Sequence, residues 1–376
     1  MSGAAMVNAG INRSRNKALR SRELMNKVQG KASRYLLAAM MCWLAPSALA
    51  AEPSTEGQHF DPQHNADSQI LMDALVEQGL PQAWVEEALG KANYTQSVLD
   101  AMEGAAERRL KWHEYRAIFI TQQRIDEGAE FINTHAEALA RAESTYGVPA
   151  DIITAIIGVE TYYGRHKGQH RVLDSLATLA FHHPQRGDFF RGELAAFLRI
   201  AYEQQVDPTM LRGSYAGAMG YPQFIPTSYQ AYAVDFDNDG RRDLWENPVD
   251  AIGSVANYFA EHHWTPGADI YHAATGPAEL PDDLRQSLSF NQASPPSVTV
   301  AQLAAHGVTS NAALDDDLMV VPLALEFADG ATRYRLGEHN FYVITRYNHS
   351  HLYAMAVAEL AEAIAAKHDK LAEDSV

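Results

Sequence analysis

The chain has 376 residues, of which 47% are hydrophobic and 9% aromatic, enough apolar content for a sizeable core and two or three structural units. Its formal charge of −17 argues against nucleic acid or anionic lipid as a partner, and for a neutral or diffuse ligand. A single cysteine excludes a disulfide-stapled fold.

The first fifty residues stand apart. Eight Lys/Arg oppose the lone acid Glu23, and the apolar run from Tyr35 to Leu49 closes on Ala48-Leu49-Ala50. A basic region, a short apolar stretch and an A-x-A site describe a secretory signal peptide cleaved after Ala50. The basic region is long, so Met25, followed by Asn26-Lys27, is a candidate true start. Cys42 follows Met40 and Met41 rather than a small residue, which favours simple cleavage over a lipid anchor. Eight of the 30 bases and one of the 47 acids fall in this leader, so the remainder carries 22 against 46, a formal charge of −24. Residues 51–66 are polar and read as a flexible tether.

Helical patterns follow at Asp67 to Glu77, at Pro81 to Leu89 with Gly90 as the stop, and at Thr95 to Met102. A longer amphipathic pattern begins at Trp112 and carries Ile118, Ile125, Ile132 and Leu139 at seven-residue spacing up to Gly147. Residues 67–147 therefore form a helical domain.

The next stretch, PADIITAIIGVETYYG from Pro149 to Gly164, organises the chain. Pro149 suits a first helical position, Asp151 a first turn, and Gly164 a C-terminal cap. Ile152, Ile156 and Glu160 fall at i, i+4 and i+8, which puts a carboxylate on an apolar stripe near the negative end of a helix dipole. Burial and the dipole both disfavour its charge, so a raised pKa is expected. A carboxyl still protonated near neutral pH can donate to a leaving oxygen, as cleavage of a glycosidic bond requires; a structural Glu paired to an Arg or to backbone amides is the plainer alternative.

Helical patterns resume at Val172 to Phe181 and Phe189 to Gln204, then a Gly-rich passage from Gly213 to Gly220 leads to Pro222 and Pro226. Another helix starts at Pro248 and runs to His263. Residues 148–264 make a second unit, and 265–346 a small β domain with strand-like runs at Met319 to Phe327, Thr332 to Leu336 and Phe341 to Arg346. Asp329-Gly330 marks a hairpin. Residues 347–376 return as a helix from Leu352 to Lys367.

Residues 235–246 match the twelve-residue calcium loop: Asp235, Asp237, Asp239, Asp243 and Glu246 at positions 1, 3, 5, 9 and 12, Gly240 at 6, and the Arg241 carbonyl at 7. Five acids this close repel one another without a cation. Arg242 stands at position 8, where paired loops carry an apolar residue, and no second loop exists; one structural Ca²⁺ is expected. His182-His183 and His262-His263 lack the i, i+4 spacing of a zinc site, so no transition metal is expected.

The GVETYYG element, the passage GSYAGAMGYPQFIPTS from Gly213, the calcium loop and Arg346-Tyr347-Asn348-His349-Ser350 occur in one order. In them the chain resembles the membrane-bound lytic murein transglycosylase B family, over nearly all of the sequence after Asp67. The resemblance implies an α+β, mainly α fold: a lysozyme-like catalytic domain with an added helical domain and a small inserted β domain. It implies cleavage of peptidoglycan between N-acetylmuramic acid and N-acetylglucosamine without water, in the periplasm of a Gram-negative bacterium. Glu160 would be the catalytic acid, then the base. Ser214 and Gln223 would contact the sugar acetamido groups, and Tyr115, Tyr258, Tyr347 and Asn348 would line the saccharide groove. Where family members carry paired arginines for the peptide or sugar acid, this chain reads Gln185-Arg186.

The partners implied are glycan strands and cell-wall synthesis proteins, and a monomer is the expected state. Taken alone, Ser214 as a turn cap and Gln223 as a partner for buried backbone are the plainer readings. Two other functional classes stay open on the sequence: a hydrolytic muramidase using a second acid such as Asp174 or Glu193, and a non-catalytic peptidoglycan-binding scaffold.

Overall fold

The computed structural model describes residues 60–106 and 110–374. The signal peptide with Met25 and Cys42, and the tether up to residue 59, lie outside the described residues. Where the tether is described it is not loose: Phe60 is buried and stacks on Phe181 at 5.3 Å, and the Asn65 side chain caps the first helix by accepting from the Ser68 N–H at 3.0 Å. Burying one aromatic ring is enough to pin the end of a polar segment.

Six helices open the described chain: α1 Ala66–Glu77, α2 Gln82–Gly90, α3 Gln96–Ala106, α4 Trp112–Phe119, α5 Gln122–Thr134 and α6 Ala136–Tyr146. The seven-residue apolar pattern from Trp112 is therefore three helices rather than one. Thr121 breaks it by adopting extended backbone and capping α5, its hydroxyl accepting from the Arg124 N–H, and His135 breaks it again. Of its four members Ile132 and Leu139 lie in the core, while Ile118 and Ile125 are half-buried against it.

The next elements are α7 Ala150–Thr161, β1 His170–Arg171, α8 Val172–His182, α9 Gly187–Glu203, β2 Arg212–Gly213, α10 Pro226–Tyr232 and α11 Pro248–Glu261. A small β unit follows, with β3 Tyr271–Thr275, α12 Asp282–Ser287, β4 Val298–Thr299, α13 Val300–Ala304, β5 Thr309–Ser310, β6 Met319–Glu326 and β7 Thr332–Gly337. The chain closes with α14 His339–Tyr347 and α15 His351–Glu373.

The five strands of the β unit order as β4-β6-β7-β3-β5, all antiparallel, around an apolar cluster of their own. The β6–β7 hairpin turns where Asp329-Gly330 predicts it: Gly330 takes φ +79°, and Asp329 accepts from the Ala331 N–H at 3.0 Å. All the other helices from α1 to α11, with α14 and α15, share one continuous core. Helix α15 packs along α7, α5 and α4, so the C-terminal segment closes over the central helix.

Phe341 to Arg346 is helical in α14, against the strand its β-branched composition predicts. Phe341, Ile344 and Thr345 are buried at helical spacing, and the Asn340 side chain holds the first turn by accepting from the Thr265 N–H and donating to the Thr265 and Ala268 carbonyls. Tertiary packing overrides the local propensity there.

Candidate active site

Helix α7 is buried on every side from Ile152 to Val159, not along one stripe, and Glu160 is half-buried at its last turn. The helix stops at Thr161, three residues before the predicted glycine cap. Tyr162, Tyr163 and Gly164 then take φ of 53°, 58° and 87° in succession. Two non-glycine residues in the left-handed region cost about 1–3 kcal/mol each, so the turn must be held by its surroundings. The Thr161 hydroxyl donates to the Tyr221 carbonyl at 3.0 Å, and the Tyr163 hydroxyl donates to the Arg124 carbonyl at 2.7 Å. Helix α5 and the end of the Gly-rich passage thus fix the backbone that presents Glu160.

One Glu160 oxygen accepts a hydrogen bond from the Tyr353 hydroxyl at 2.7 Å. Burial lifts the Glu160 carboxyl to about 8, and the Tyr353 bond opposes that rise. Tyr115 and Tyr347 lie close enough for the Glu160 charge to add to the burial that pushes their phenols upward. Among the described residues Glu160 therefore faces three tyrosines and no cation. Tyr353 is absent from the residues the sequence singled out. Its signal was faint: a tyrosine in the first turn of α15, three residues past the Ser350 cap.

Tyr347 ties this group to the rest of the predicted site. Its hydroxyl donates to the Pro222 carbonyl at 2.6 Å, and its ring lies 4.8 Å from Tyr258 and 5.9 Å from Phe224. The Tyr258 hydroxyl donates to the Arg346 carbonyl at 2.6 Å, and Asn348 is buried where α14 ends. Gln223 takes φ +50° and its amide donates to the Gly220 carbonyl at 2.8 Å. Ser214 accepts from the Ala218 N–H at 3.0 Å and so closes its own turn. In this form Ser214 and Gln223 do what their plainer readings say. Gln185 and Arg186 make a separate group on the α8–α9 turn, their N–H groups donating to His183 Nδ1 and the Arg186 guanidinium lying 4.9 Å from both Phe189 and Phe190.

The two other acids weighed for catalysis are occupied. Asp174 accepts from the Asn93 N–H at 3.0 Å and pairs with Arg171 at 3.2 Å. Glu193 is buried and takes both the N–H and the hydroxyl of Thr227, at 3.0 and 2.7 Å, capping α10. Burial raises the Glu193 carboxyl to about 7, but its oxygens serve a helix end.

The loop at 235–246 turns as its sequence demands, with Asn238 at φ 62° and Gly240 at φ 91°. Asp235 accepts from the Asp239 and Gly240 N–H groups at 3.0 and 2.9 Å, Asp239 from Arg241 at 2.8 Å, and Asp243 from Trp245 and Glu246 at 2.9 Å each. Oxygens of Asp235, Asp237 and Asp250 lie within 4.8 Å of one another. Asp250 is outside the twelve-residue pattern; it arrives from the first turn of α11, where it also accepts from the Phe236 and Asp243 N–H groups. The Glu246 side chain is turned to solvent and pairs with Lys167 at 3.2 Å. Converging carboxylates with a loop carbonyl form an all-oxygen donor set, which fits Ca²⁺ and not a soft metal.

The loop is also joined to the acid's surroundings. Leu244 accepts from the Tyr221 N–H at 2.8 Å, and Gly220 packs so tightly there that a Cβ would lie 2.1 Å from the Leu244 carbonyl oxygen. The Trp245 indole donates to the Arg212 carbonyl at 2.9 Å.

Comparison with known proteins places this arrangement. The profile of the Transglycosylase SLT domain matches residues 63–362. Membrane-bound lytic murein transglycosylase B of Escherichia coli (strain K12) is 43% identical over 313 residues, covering 80% of this chain and 83% of that protein. Soluble lytic transglycosylase SltB1 from Pseudomonas aeruginosa is 46% identical with a TM-score of 0.73, over 80% of this chain and 99% of that one. Escherichia coli lytic transglycosylase Slt35 in complex with calcium is 42% identical with a TM-score of 0.74, over 85% and 99%. SltB3 from Pseudomonas aeruginosa in complex with NAG-anhNAM-pentapeptide is 30% identical with a TM-score of 0.68, over 82% and 80%. The fold is lysozyme-like and mainly α with a small sheet, and the chain belongs to the Transglycosylase SLT domain family of lytic transglycosylases.

Proposed function

We propose that this protein cleaves the β-1,4 bond between N-acetylmuramic acid and N-acetylglucosamine in peptidoglycan, leaving a 1,6-anhydro end, with Glu160 as its one acid and base. The observation that carries the reading is Glu160 itself: half-buried, bonded to Tyr353, and held up to about 8 by burial. At neutral pH such a group is still mostly protonated and can transfer its proton to the glycosidic oxygen as the C1–O bond breaks. The muramic acetamido carbonyl stabilises the cation at C1. Glu160, now ionised, takes the proton of the O6 hydroxyl, and O6 bonds to C1 to close the second ring. The proton balance is zero and no water enters.

Tyr115, Tyr347 and Tyr258 are buried here and would line the groove only by walling the acid's surroundings, with Asn348 at the same helix end. Ser214 and Gln223 would turn from their local hydrogen bonds to the acetamido groups. A hydrolase would need a second carboxylate to direct water, and the two acids weighed for that part, Asp174 and Glu193, already hold structural partners. The loop at 235–246, with Asp235, Asp237, Asp239, the Arg241 carbonyl, Asp243 and Glu246, would hold Ca²⁺ in a structural part, keeping the Leu244–Tyr221 contact in place; the calcium complex of Slt35 supports this. The leader and the peptidoglycan substrate support a periplasmic location, and no helix among the described residues is long and apolar enough to cross a membrane.

The test is the mass of the muropeptides released from purified peptidoglycan. Products lighter than hydrolysis products by one water are expected. Reducing ends of full mass would replace the proposal with a hydrolase, and no products at all with a binding scaffold.

A further inference from the structure

Three metal-ligating side chains meet where the chain enters and leaves the β unit. Asp269 lies on the segment between α11 and β3, His272 is the second residue of β3, and Glu338 follows β7 as the N-cap residue of α14. One ligand atom of each lies within 4.8 Å of the other two. His272 Nε2 is 2.6 Å from a Glu338 oxygen and 3.7 Å from an Asp269 oxygen. The His272 and Glu338 side chains are largely covered, at 13% and 19% exposure, while Asp269 stands open at 73%.

The backbone holds all three in place. Strands β3 and β7 pair antiparallel with His272 opposite Leu336 and Tyr271 opposite Gly337, and the Glu338 N–H extends the ladder by donating to the Ile270 carbonyl at 2.9 Å. The approach to Asp269 is fastened by the buried Asn340 side chain, which bonds Thr265 and Ala268. Each of the three residues thus sits beside backbone that is hydrogen-bonded into the fold, as a site of fixed geometry requires. Its sequence signal is weak: His272 belongs to neither His-His pair, and Glu338 is 66 residues away.

We propose that Asp269, His272 and Glu338 bind one zinc ion, a structural clamp across the neck of the β unit. An imidazole and two carboxylates are ligands that zinc takes, and three protein ligands leave a fourth position for water on the open Asp269 side. Zinc bonds of about 2.0–2.1 Å put tetrahedral ligand atoms about 3.4 Å apart. The 2.6 and 3.7 Å separations fall on either side of that value, so closing on the ion takes small side-chain movements. An ion pair between His272 and Glu338 is the simpler arrangement, but it leaves Asp269 converging on the same ring. Two carboxylates bring more negative charge than one imidazolium cancels and as much as a divalent ion does. The clamp would fix the β unit to the start of α14, the helix that ends at Tyr347. It does not depend on the glycan-cleaving reading.

The test is zinc titration of the full chain from residue 51, stripped of metal and then held in excess Ca²⁺ to fill the acidic loop, read by equilibrium dialysis and thermal melting. One equivalent should bind at micromolar free ion or below and raise the melting temperature. Asp269→Asn changes an exposed side chain, so it should fold like the parent and bind zinc about tenfold more weakly, and His272→Ala about a hundredfold. Asp235→Asn should keep the zinc equivalent. A zinc equivalent that Asp269→Asn and His272→Ala leave unchanged, or that Asp235→Asn removes, would overturn the site. No zinc bound at micromolar free ion would overturn it too, leaving an ion pair of His272 with Glu338 only.

Discussion

At the scale of single residues, the chemistry rests on a carboxyl whose charge is suppressed by burial rather than by a neighbouring acid. That assigns a direction to pH dependence. Glu160 acts in its protonated form, so turnover should fall as pH rises through about 8, where the group ionises. Tyr353 donates to Glu160 and favours the ionised form, so Tyr353→Phe should carry the alkaline limb upward, by about half a pH unit to one. A pH–rate profile that Tyr353→Phe leaves in place, or moves downward, would contradict the assigned hydrogen bond.

The same group links function to stability. Its folded pKa lies above the ordinary glutamate value of 4.5, so between 4.5 and about 8 the folded chain keeps a proton that the unfolded chain has released. Any stability this confers is whole below that window and is lost as pH climbs through it. Glu160→Gln removes the penalty, and because Glu160 keeps some solvent access the gain should be only about 1–2 kcal/mol at pH 8, and near zero at pH 4. Thermal melts of the two proteins at both pH values would show it; equal melts at pH 8 would count against a buried, uncompensated acid.

At the scale of elements, what the sequence made legible was wherever periodicity and a punctuating residue agreed. Helices α1, α2, α8 and α11 lie within a residue or two of their predicted positions, and Asp329-Gly330 turns its hairpin. What it hid was set by long-range contacts. Thr121 and His135 cut one amphipathic run into three helices, and α14 is helical despite strand-like residues because Asn340 and the core hold it. The end of α7 was misplaced because Tyr162 and Tyr163 tolerate a left-handed turn that a glycine would take at less cost. Tyr353 was missed because it acts on a residue 193 positions away, and Asp250 because it lies just past the end of the twelve-residue pattern that the loop was read from.

The Gly-rich passage yields an element-scale expectation. Gly220 sits at φ +67° with the Leu244 carbonyl where a Cβ would go, and neither backbone can give way cheaply. Gly220→Ala should therefore cost about 2–4 kcal/mol and lower activity along with it, since Pro222 and Gln223 move with the turn. Denaturant midpoints would measure this, and an unchanged midpoint would mean that the contact is not tight.

At the scale of the whole molecule, one core runs from α1 to α11 and on through α14 and α15, and the β unit carries a second. The acidic loop is fastened to the Gly-rich passage, so cation binding should stabilise the fold that presents Glu160 rather than take part in the reaction. Saturating Ca²⁺ should raise the melting temperature, by about 2.7 kcal/mol of stability at a hundredfold excess over the dissociation constant, and Asp235→Asn should abolish the rise. A melt indifferent to both Ca²⁺ and chelator would remove the ion from the account.

The central claim is that a single carboxyl does the work of acid and base, and turnover of purified sacculi by three variants side by side addresses it most directly. Glu160→Gln should lower the rate by about 10²–10⁴, while Asp174→Asn and Glu193→Gln, once corrected for the fraction folded, should leave the chemical step near its parent value. A Glu160→Gln protein that keeps most of its activity, or a loss of equal size in a folded Asp174 or Glu193 variant, would contradict it.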